Sequence, residues 1–504
     1  MLFRSQVTVT AEAQMINKEK KFVLHMIFAS MMIFGAFIVP AVLLCVRYHD
    51  YDEFINIGTI CVTTLAIGYI GQKVFYYDVT RMNSRICFMT TIFTWLTMVF
   101  ITAIPFYLSR LNLSIIDSLF ESMASWTTTG VSLVGAEAMP IGLQMLRASC
   151  NWMGGLGIIV LALNFLPTWH FVGRTLVLTE IAGPGFLKSN TTFRKTYRRA
   201  LVIYITLTAL QFCCLHIAGL NLSDSLITSL SNISTSGLVN LNNGNIIGYN
   251  LAIKVIISMF AFLGSINFSV LLLISMRRFR DIAKGPELKL HTVRILVTSI
   301  IITCILFFTY NRGMYVFKDF GTTLMQVISY FSTAGYKITN TGSWPESSVA
   351  IILMQMFIGA CAISSGGGIK GARVIIAFKT STSTLYHHIH KNAIRPVKYA
   401  GVPLQLNTLL RCNLYIVIFI VTYLLGALAL SINLDLRTSL NTSIAMLTNT
   451  GSYIGQTATP GILDNYTAAS KITMMFLMIA GRLEIYPVLL IFFKGFWKND
   501  TDIR

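Results

Sequence analysis

Four short segments rich in Thr, Ser and Gly share one pattern in this chain of 504 residues. Each segment follows a short apolar run and precedes a long apolar stretch. The glycines of the four segments, Gly130, Gly237, Gly335 and Gly451, are separated by 107, 98 and 116 residues. A period this long indicates a repeated structural unit of about a hundred residues rather than one turn of a solenoid.

The residue types limit the chemistry that these segments can perform. Ser, Thr and Asn need a partner to act as acids, bases or nucleophiles, and no His, Asp or Lys recurs beside all four segments. Glycine permits positive φ, so neighbouring carbonyl groups can point to one side. Four such loops around one axis would form rings of carbonyl oxygens that replace the hydration shell of a cation, as TVGYG loops do in potassium channels. A polar re-entrant turn would explain any single segment. Four copies, each placed between apolar stretches in the same way, favour an ion-selectivity filter.

The predicted filter residues are four consecutive positions in each segment, and K⁺ is the only metal ion expected there. They are Thr128, Thr129, Gly130 and Val131; Thr235, Ser236, Gly237 and Leu238; Thr333, Ala334, Gly335 and Tyr336; and Thr448, Asn449, Thr450 and Gly451. Each segment has one glycine where the potassium-channel motif has two. We therefore expect a shorter filter that prefers K⁺ to Na⁺ less strongly than a potassium channel does.

Further motifs carry a family resemblance over nearly the whole chain. They are NWMGGLGIIVLAL at 151–163, GSINFS at 264–269, SSGGGIKGARV at 364–374 and AGRLEIYPVLL at 480–490. With the four segments, they make the chain resemble the Trk/Ktr/HKT superfamily of potassium transporters, most closely its TrkH-type subunits. The resemblance implies potassium uptake without catalysis, a homodimer, and a cytoplasmic TrkA-like ring that binds nucleotides. It also implies an all-α membrane fold, in which four helix–pore-loop–helix repeats surround one pore with pseudo-fourfold symmetry.

The composition independently indicates a multi-pass membrane protein. Apolar residues make up 54% of the chain and charged residues 12%, whereas soluble domains carry about a quarter charged residues. The net charge of +19 does not indicate nucleic-acid binding, because most Lys and Arg lie in short loops between apolar stretches. The nine cysteines lack CxxC spacing and predict neither disulfides nor a metal site. No cofactor is expected besides the transported K⁺.

Apolar stretches of about 20 residues predict ten spans and four re-entrant loops. Lys and Arg are concentrated in alternate connections, which predicts a cytoplasmic N-terminus and four loops that enter from outside. The resemblance implies that the membrane is a bacterial inner membrane. The predicted parts are a cytoplasmic N-terminus at 1–21, two leading transmembrane helices at 22–85, and pore repeats at 86–170, 199–276, 293–380 and 407–495. The second helix of the third repeat is predicted to be interrupted.

The predicted interruption is the Gly-rich run of the third repeat. It consists of Ser364, Ser365, Gly366, Gly367 and Gly368. Three consecutive glycines hold a helix poorly, since each costs about 1 kcal/mol against Ala. A phosphate loop is disfavoured because GxxxxGK[ST] is not matched. A simple hinge stays open, and in the resembling family the segment is an intramembrane gate under the filter.

Arg482 is the second predicted gate residue, because it lies near the middle of the last apolar stretch. A charge at this depth is costly and is functional by default. Its charge would raise the barrier to cations and hold the Gly-rich run through backbone carbonyls. The simpler alternative is a buried arginine bonded to carbonyls for structural reasons. Lys370 and Arg373 are expected to extend towards the membrane surface.

The main alternative function is a K⁺ symporter that is coupled to H⁺ or Na⁺. It would need a titratable or Na⁺-binding group in the pathway, and Glu121, Asp224 and Glu484 are the candidate carboxylates. A membrane enzyme would need a convergent catalytic set, and none is visible. Since no nucleotide-binding motif occurs, nucleotide control would come from a partner that docks on the basic linkers near 277–294 and 379–398.

Overall fold

The computed structural model describes most of the chain, and helices dominate the described part. The described residues are 2–76, 84–164, 190–237, 245–277, 279, 282, 285–310, 316–362, 364–390, 396–451, 466–493 and 497. One antiparallel two-stranded hairpin, β1 (Lys398–Tyr399) and β2 (Val402–Pro403), pairs Lys398 with Pro403.

The helices follow one another in the order that the apolar stretches predict. They are α1 (Leu2–Arg47), α2 (Tyr51–Val74), α3 (Ser84–Leu108), α4 (Ile115–Trp126), α5 (Ile141–Asn164), α6 (Asn190–Ile217), α7 (Leu222–Ile233), α8 (Leu251–Ser265), α9 (Phe268–Ser275), α10 (Pro286–Tyr310), α11 (Val316–Phe331), α12 (Glu346–Ile358), α13 (Gly371–Ile389), α14 (Leu406–Leu430), α15 (Leu436–Leu447), α16 (Ala468–Arg482) and α17 (Ile485–Leu490).

Among the described residues, six helices are long and apolar enough to cross a membrane, and they lie in α1, α2, α3, α6, α10 and α14. Large apolar side chains such as Val62, Phe308 and Leu428 are more than 60% exposed on these helices. Lipid rather than water is the solvent that such surfaces require. The chain is therefore a multi-pass membrane protein.

After α2, the helices fall into four groups with the same order. Group one is α3–α5, group two α6–α9, group three α10–α13 and group four α14–α17. Each group has a long first helix, a short helix of 12 to 16 residues and a second helix. The short helices α4, α7, α11 and α15 are largely buried, although they are rich in Ser and Thr.

Each of the four second helices is broken, whereas the sequence predicts a break only in the third. Gly157 has non-helical angles inside α5, and residues 266–267 separate α8 from α9. Residues 359–370 separate α12 from α13, and Glu484 with φ +58° separates α16 from α17. A single glycine weakens a helix by only about 1 kcal/mol, so the other breaks have no strong local signal.

Contacts between groups follow a closed order. Each second helix packs against the short helix of its own group and against that of the next group. Thus α5 contacts α7, α8 contacts α11, and α12 contacts α15. The last second helix, α16, contacts α4 of group one. The leading helix α1 packs outside this arrangement, against α2, α3 and α5.

Candidate ion pathway

The four short helices end in the same backbone turn. One residue in each turn has positive φ, namely Thr128 (+55°), Thr235 (+56°), Thr333 (+61°) and Asn449 (+54°). The N–H of the following residue donates to a carbonyl five residues back, at 2.9–3.0 Å in all four turns. This hydrogen bond is typical of the Schellman end of a helix, where glycine is the usual residue at positive φ. β-branched Thr is strained there by about 1–3 kcal/mol, and such strain accumulates at functional sites.

The shared turn gives the register of the four loops. The residues just before the positive-φ position are Thr127, Ser234, Ser332 and Thr448. The predicted stretch 448–451 therefore begins one residue earlier than the stretches predicted for the other three loops. The glycines show the same offset, because Gly130, Gly237 and Gly335 are third in their predicted stretches and Gly451 is fourth. The position that corresponds to Val131 and Tyr336 is Ser452 in loop four, and Ser452 and Leu238 lie outside the described residues.

The loop glycines were predicted to adopt positive φ, and three of the four do so. Gly130, Gly335 and Gly451 have φ of +77°, +73° and +65°. Gly237 does not have positive φ, so that expectation is wrong for loop two. It is instead required by close approach, because a Cβ there would overlap the carbonyl oxygen of Ala334 in loop three.

Neighbouring loops contact one another directly. The hydroxyl of Tyr336 in loop three donates to the carbonyl of Ser236 in loop two at 3.2 Å. The amide of Asn449 in loop four donates to Oγ1 of Thr129 in loop one at 3.1 Å. A Cβ on Gly451 would also overlap the carbonyl of Thr129. Among the predicted filter residues that the structure describes, Gly130 is partly exposed and the others are buried.

The Gly-rich run lies against the ends of the short helices. The N–H of Gly367 donates to Oγ1 of Thr333 at 2.9 Å, and a Cβ on Gly367 would overlap the carbonyl of Thr448. The hydroxyl of Ser365 lies 3.1 Å from the carbonyl of Ile233 at the end of α7. It also lies 2.9 Å from the carbonyl of Gly264. The run thus touches groups two, three and four.

Arg482 connects this run to the remaining group. Its Nη1 donates to the carbonyl of Ser365 at 2.6 Å, and its Nη2 donates to the carbonyl of Gly154 in α5. Both contacts are to backbone oxygens, which agrees with the simpler structural interpretation. They also provide the hold on the Gly-rich run that the functional interpretation requires.

Sequence reasoning missed the residues that anchor the chain on either side of the run. One carboxylate oxygen of buried Glu287 accepts the N–H of Ala362 at 2.6 Å and that of Ala372 at 2.9 Å. Arg294 donates to the carbonyl of Gly359 at 2.8 Å. Glu287 and Arg294 are seven residues apart in α10, so they lie on one helix face. Two charged residues on one face of an otherwise apolar helix are the sequence signal from which they could have been predicted.

The expected surface extension of Lys370 and Arg373 is wrong. Arg373 is 5% exposed and forms an ion pair with Glu484, and the Nζ of Lys370 bonds to the carbonyl of Gly366. Burying a charge is costly without a partner, and Glu484, which is 111 positions away in the chain, provides that partner for Arg373. Glu121, another candidate carboxylate, is paired with Arg147 at 3.4 Å.

Two of the short helices are capped by a side chain at their first turn. Ser114 accepts the N–H of Asp117 at 3.1 Å, and Asp435 accepts that of Thr438 at 3.0 Å. The hydrogen bonds from Thr438 lower the pKa of Asp435. At the opposite ends, the last helical carbonyls carry partial negative charge, so the four helix ends at the loops favour a cation.

Fold and site together define an all-helical membrane protein for ion transport, in which four short buried helices end in the same turn. The sequence profile of the TrkH family, described as a cation transport protein, matches residues 62–498. The potassium uptake protein TrkH of Escherichia coli K12 is 29% identical over 434 residues, which cover 83% of this chain and 87% of that protein. TrkG of the same strain is 30% identical over 431 residues, with the same shares covered.

A solved structure has the same fold. The crystal structure of the potassium transporter TrkH from Vibrio parahaemolyticus matches with a TM-score of 0.83 at 22% identity, and the match covers 95% of this chain and 99% of that chain. The chain belongs to the TrkH family, and the resemblance predicted from the motifs is confirmed. It is an ion transporter and not an enzyme.

Proposed function

We propose that this chain mediates potassium uptake through a gated, selective pore in the bacterial inner membrane. The observation that carries the proposal is the shared end of the four short helices, since all four adopt the same turn with one non-glycine residue at positive φ. The names of the relatives in the Trk potassium uptake system support K⁺ as the ion. The pore needs no cofactor.

The four groups are four repeats around one axis, with the boundaries 86–170, 199–276, 293–380 and 407–495. The closed order of contacts supports this arrangement, because α16 of the last group packs on α4 of the first. A linear array of four units would leave the outer faces of α4 and α16 unpaired. Pseudo-fourfold symmetry in one chain is the simplest arrangement in which every short helix has the same two neighbours.

Selectivity comes from the loops that follow the short helices. Their carbonyl and hydroxyl oxygens replace the water of an entering cation, and the helix ends add partial negative charge. The contacts between Tyr336 and Ser236, and between Asn449 and Thr129, hold neighbouring loops together. A filter with fixed oxygen positions can distinguish K⁺ from Na⁺ by size and coordination.

The Gly-rich run 364–368 is the gate, and Arg482 holds it in the closed position. The run contacts the loop ends of three groups, and Arg482 extends the contact to Gly154 in the fourth. Its glycines allow it to bend away, whereas the anchors at Glu287 and Arg294 keep its two ends in place. The gate opens by moving the middle of the run, and K⁺ then follows the electrical gradient.

Regulation comes from a partner in the cytoplasm, and the pore subunit is a homodimer. The chain carries no nucleotide-binding motif, so a TrkA-like ring is the proposed source of nucleotide control. The relatives belong to a Trk system, which is consistent with a separate regulatory component. The basic linkers near 277–294 and 379–398 are the proposed docking region, and the N-terminus lies on the same cytoplasmic side.

Flux of ⁸⁶Rb⁺ into liposomes that contain the purified chain tests this function. With an imposed membrane potential and no H⁺ or Na⁺ gradient, we expect uptake that unlabelled K⁺ blocks more strongly than Na⁺ does. Empty liposomes under the same potential are the control. Uptake that requires a H⁺ or Na⁺ gradient would contradict the channel mechanism and favour the coupled symporter.

A further inference from the structure

A buried carboxylate holds the chain where it leaves filter loop one. Glu121 lies in α4 and is fully buried. One of its oxygens accepts the N–H of Leu133 at 2.6 Å and the hydroxyl of Ser132 at 2.7 Å. These two residues follow Gly130 directly after Val131, so Glu121 fixes the outer end of the predicted filter.

The same contact occurs in loop three with an amide in place of the carboxylate. Oε1 of Gln326 in α11 accepts the N–H of Ile338 at 2.7 Å and that of Thr339 at 3.1 Å, while its Nε2 donates to the carbonyl of Tyr336 at 2.8 Å. Glu121 and Gln326 both lie five residues before the last residue of their helix. Leu133 and Ile338 both lie three residues after the loop glycine.

We call Glu121 with its loop contacts clamp one, and Gln326 with its loop contacts clamp three. The charge of Glu121 is balanced by an arginine in the second helix of its own group. Arg147, the seventh residue of α5, donates to Ser132 at 2.7 Å and pairs with Glu121 at 3.4 Å. The seventh residue of α12 is Ile352, which is also fully buried. The carboxylate thus has an arginine partner, whereas the position counted in the same way in group three is apolar. A buried side-chain oxygen is kept in both groups while the charge is not.

The two clamps lie in alternate groups of the closed contact order. The corresponding residues of α7 and α15 are Thr228 and Thr442, whose side chains are shorter. Thr442 lies 3.4 Å from the hydroxyl of Tyr466 instead. Groups one and three are thus built alike at this position, and groups two and four are built differently.

We propose that Glu121 and Gln326 are positioning residues for ion selectivity, because each fixes the outer end of its filter loop through a buried oxygen. This inference rests on the proposed function of the loops as a K⁺ filter. The function of the clamp is to keep the loop carbonyls at the spacing that suits K⁺. The negative charge of Glu121 is not required, since Gln326 performs the same task without charge.

Two double variants test the inference and differ only at position 121, where one keeps an amide and the other has an apolar side chain. Glu121→Gln with Arg147→Ile rebuilds clamp one in the form of clamp three. Glu121→Leu with Arg147→Ile removes the acceptor and both charges together, so no unpaired charge stays buried. The readout is the ratio of K⁺ to Na⁺ concentrations that halve ⁸⁶Rb⁺ uptake in liposomes. Gln326→Leu removes the acceptor of loop three, where no charge is involved. It provides the test if the variant with Glu121→Leu and Arg147→Ile does not fold.

We expect the Gln/Ile variant to keep the wild-type selectivity. The Leu variants should lose about tenfold in selectivity, which corresponds to about 1.4 kcal/mol. Leu variants that take up ⁸⁶Rb⁺ with unchanged selectivity would overturn the inference, as would a Gln/Ile variant with the same loss as the Leu/Ile variant. A wild-type protein without preference for K⁺ would instead refute the proposed function itself.

Discussion

The N–H of Gly367 donates a hydrogen bond of 2.9 Å to the hydroxyl of Thr333. Thr333 is the strained residue at the start of the predicted filter loop three, with φ +61°, and Gly367 is the middle glycine of the Gly-rich run. The loop side of this contact is fixed, because the N–H of Ala334 bonds back to Ser329 at 3.0 Å. Movement of the run away from the predicted filter must therefore break the bond.

Replacing Thr333 by Val should open the gate more often. Val keeps the branched shape but cannot accept the Gly367 N–H, and a buried unpaired donor costs about 1–3 kcal/mol. That cost falls on the closed state, so we expect basal ⁸⁶Rb⁺ flux to rise about tenfold for each 1.4 kcal/mol. Thr333→Ser keeps the hydroxyl and serves as the control. Equal flux in the Val and Ser variants would show that this bond does not hold the gate.

Loss of the Arg482 side chain should also raise basal flux. Arg482→Ala removes both carbonyl contacts, to Ser365 and to Gly154, and removes a positive charge beside the pathway. Arg482→Lys keeps the charge, but its single ammonium group cannot reproduce the forked contact to both oxygens. In a liposome assay at matched protein content, we expect the highest flux for the Ala variant, a lower flux for the Lys variant and the lowest for the wild type. Unchanged flux in the Ala variant would show that Arg482 does not hold the gate closed.

Glu287 should be needed to keep the ends of the Gly-rich run together. Glu287→Leu leaves the N–H groups of Ala362 and Ala372 without their acceptor, at a cost of about 1–3 kcal/mol each. Glu287→Gln keeps an oxygen at the same place. We expect a lower unfolding temperature in detergent and raised ⁸⁶Rb⁺ flux for Leu, and near wild-type values for Gln. A Leu variant with wild-type stability and flux would contradict the anchoring role.

Gly237 should tolerate no side chain, although its backbone angles would permit one. A Cβ at this position would overlap the carbonyl oxygen of Ala334 in loop three. Gly237→Ala must therefore separate loops two and three, and we expect reduced selectivity for K⁺ over Na⁺ in the competition assay. Gly248→Ala is the matched control, because nothing lies within 4 Å of the added methyl group. Wild-type selectivity in both variants would argue against tight contact between the loops.

The membrane class and the family could be predicted from the sequence because their signals are local. Apolar stretches predicted the long helices, and six of them lie in the described part as continuous spans. The four glycine segments and the motifs around Gly154, Gly264 and Arg482 were sufficient for the family, which the comparison confirms. Hydropathy and short motifs depend on neighbours along the chain, so no tertiary information was needed.

Only the tertiary structure decided how the segments meet. The need for Gly237 follows from Ala334, a residue nearly a hundred positions away in the chain. Glu287 bonds to residues 75 and 85 positions away, and Glu484 meets Arg373 at a separation of 111. Such contacts leave no periodic pattern in the sequence, because they depend on which helices pack together after the chain has folded.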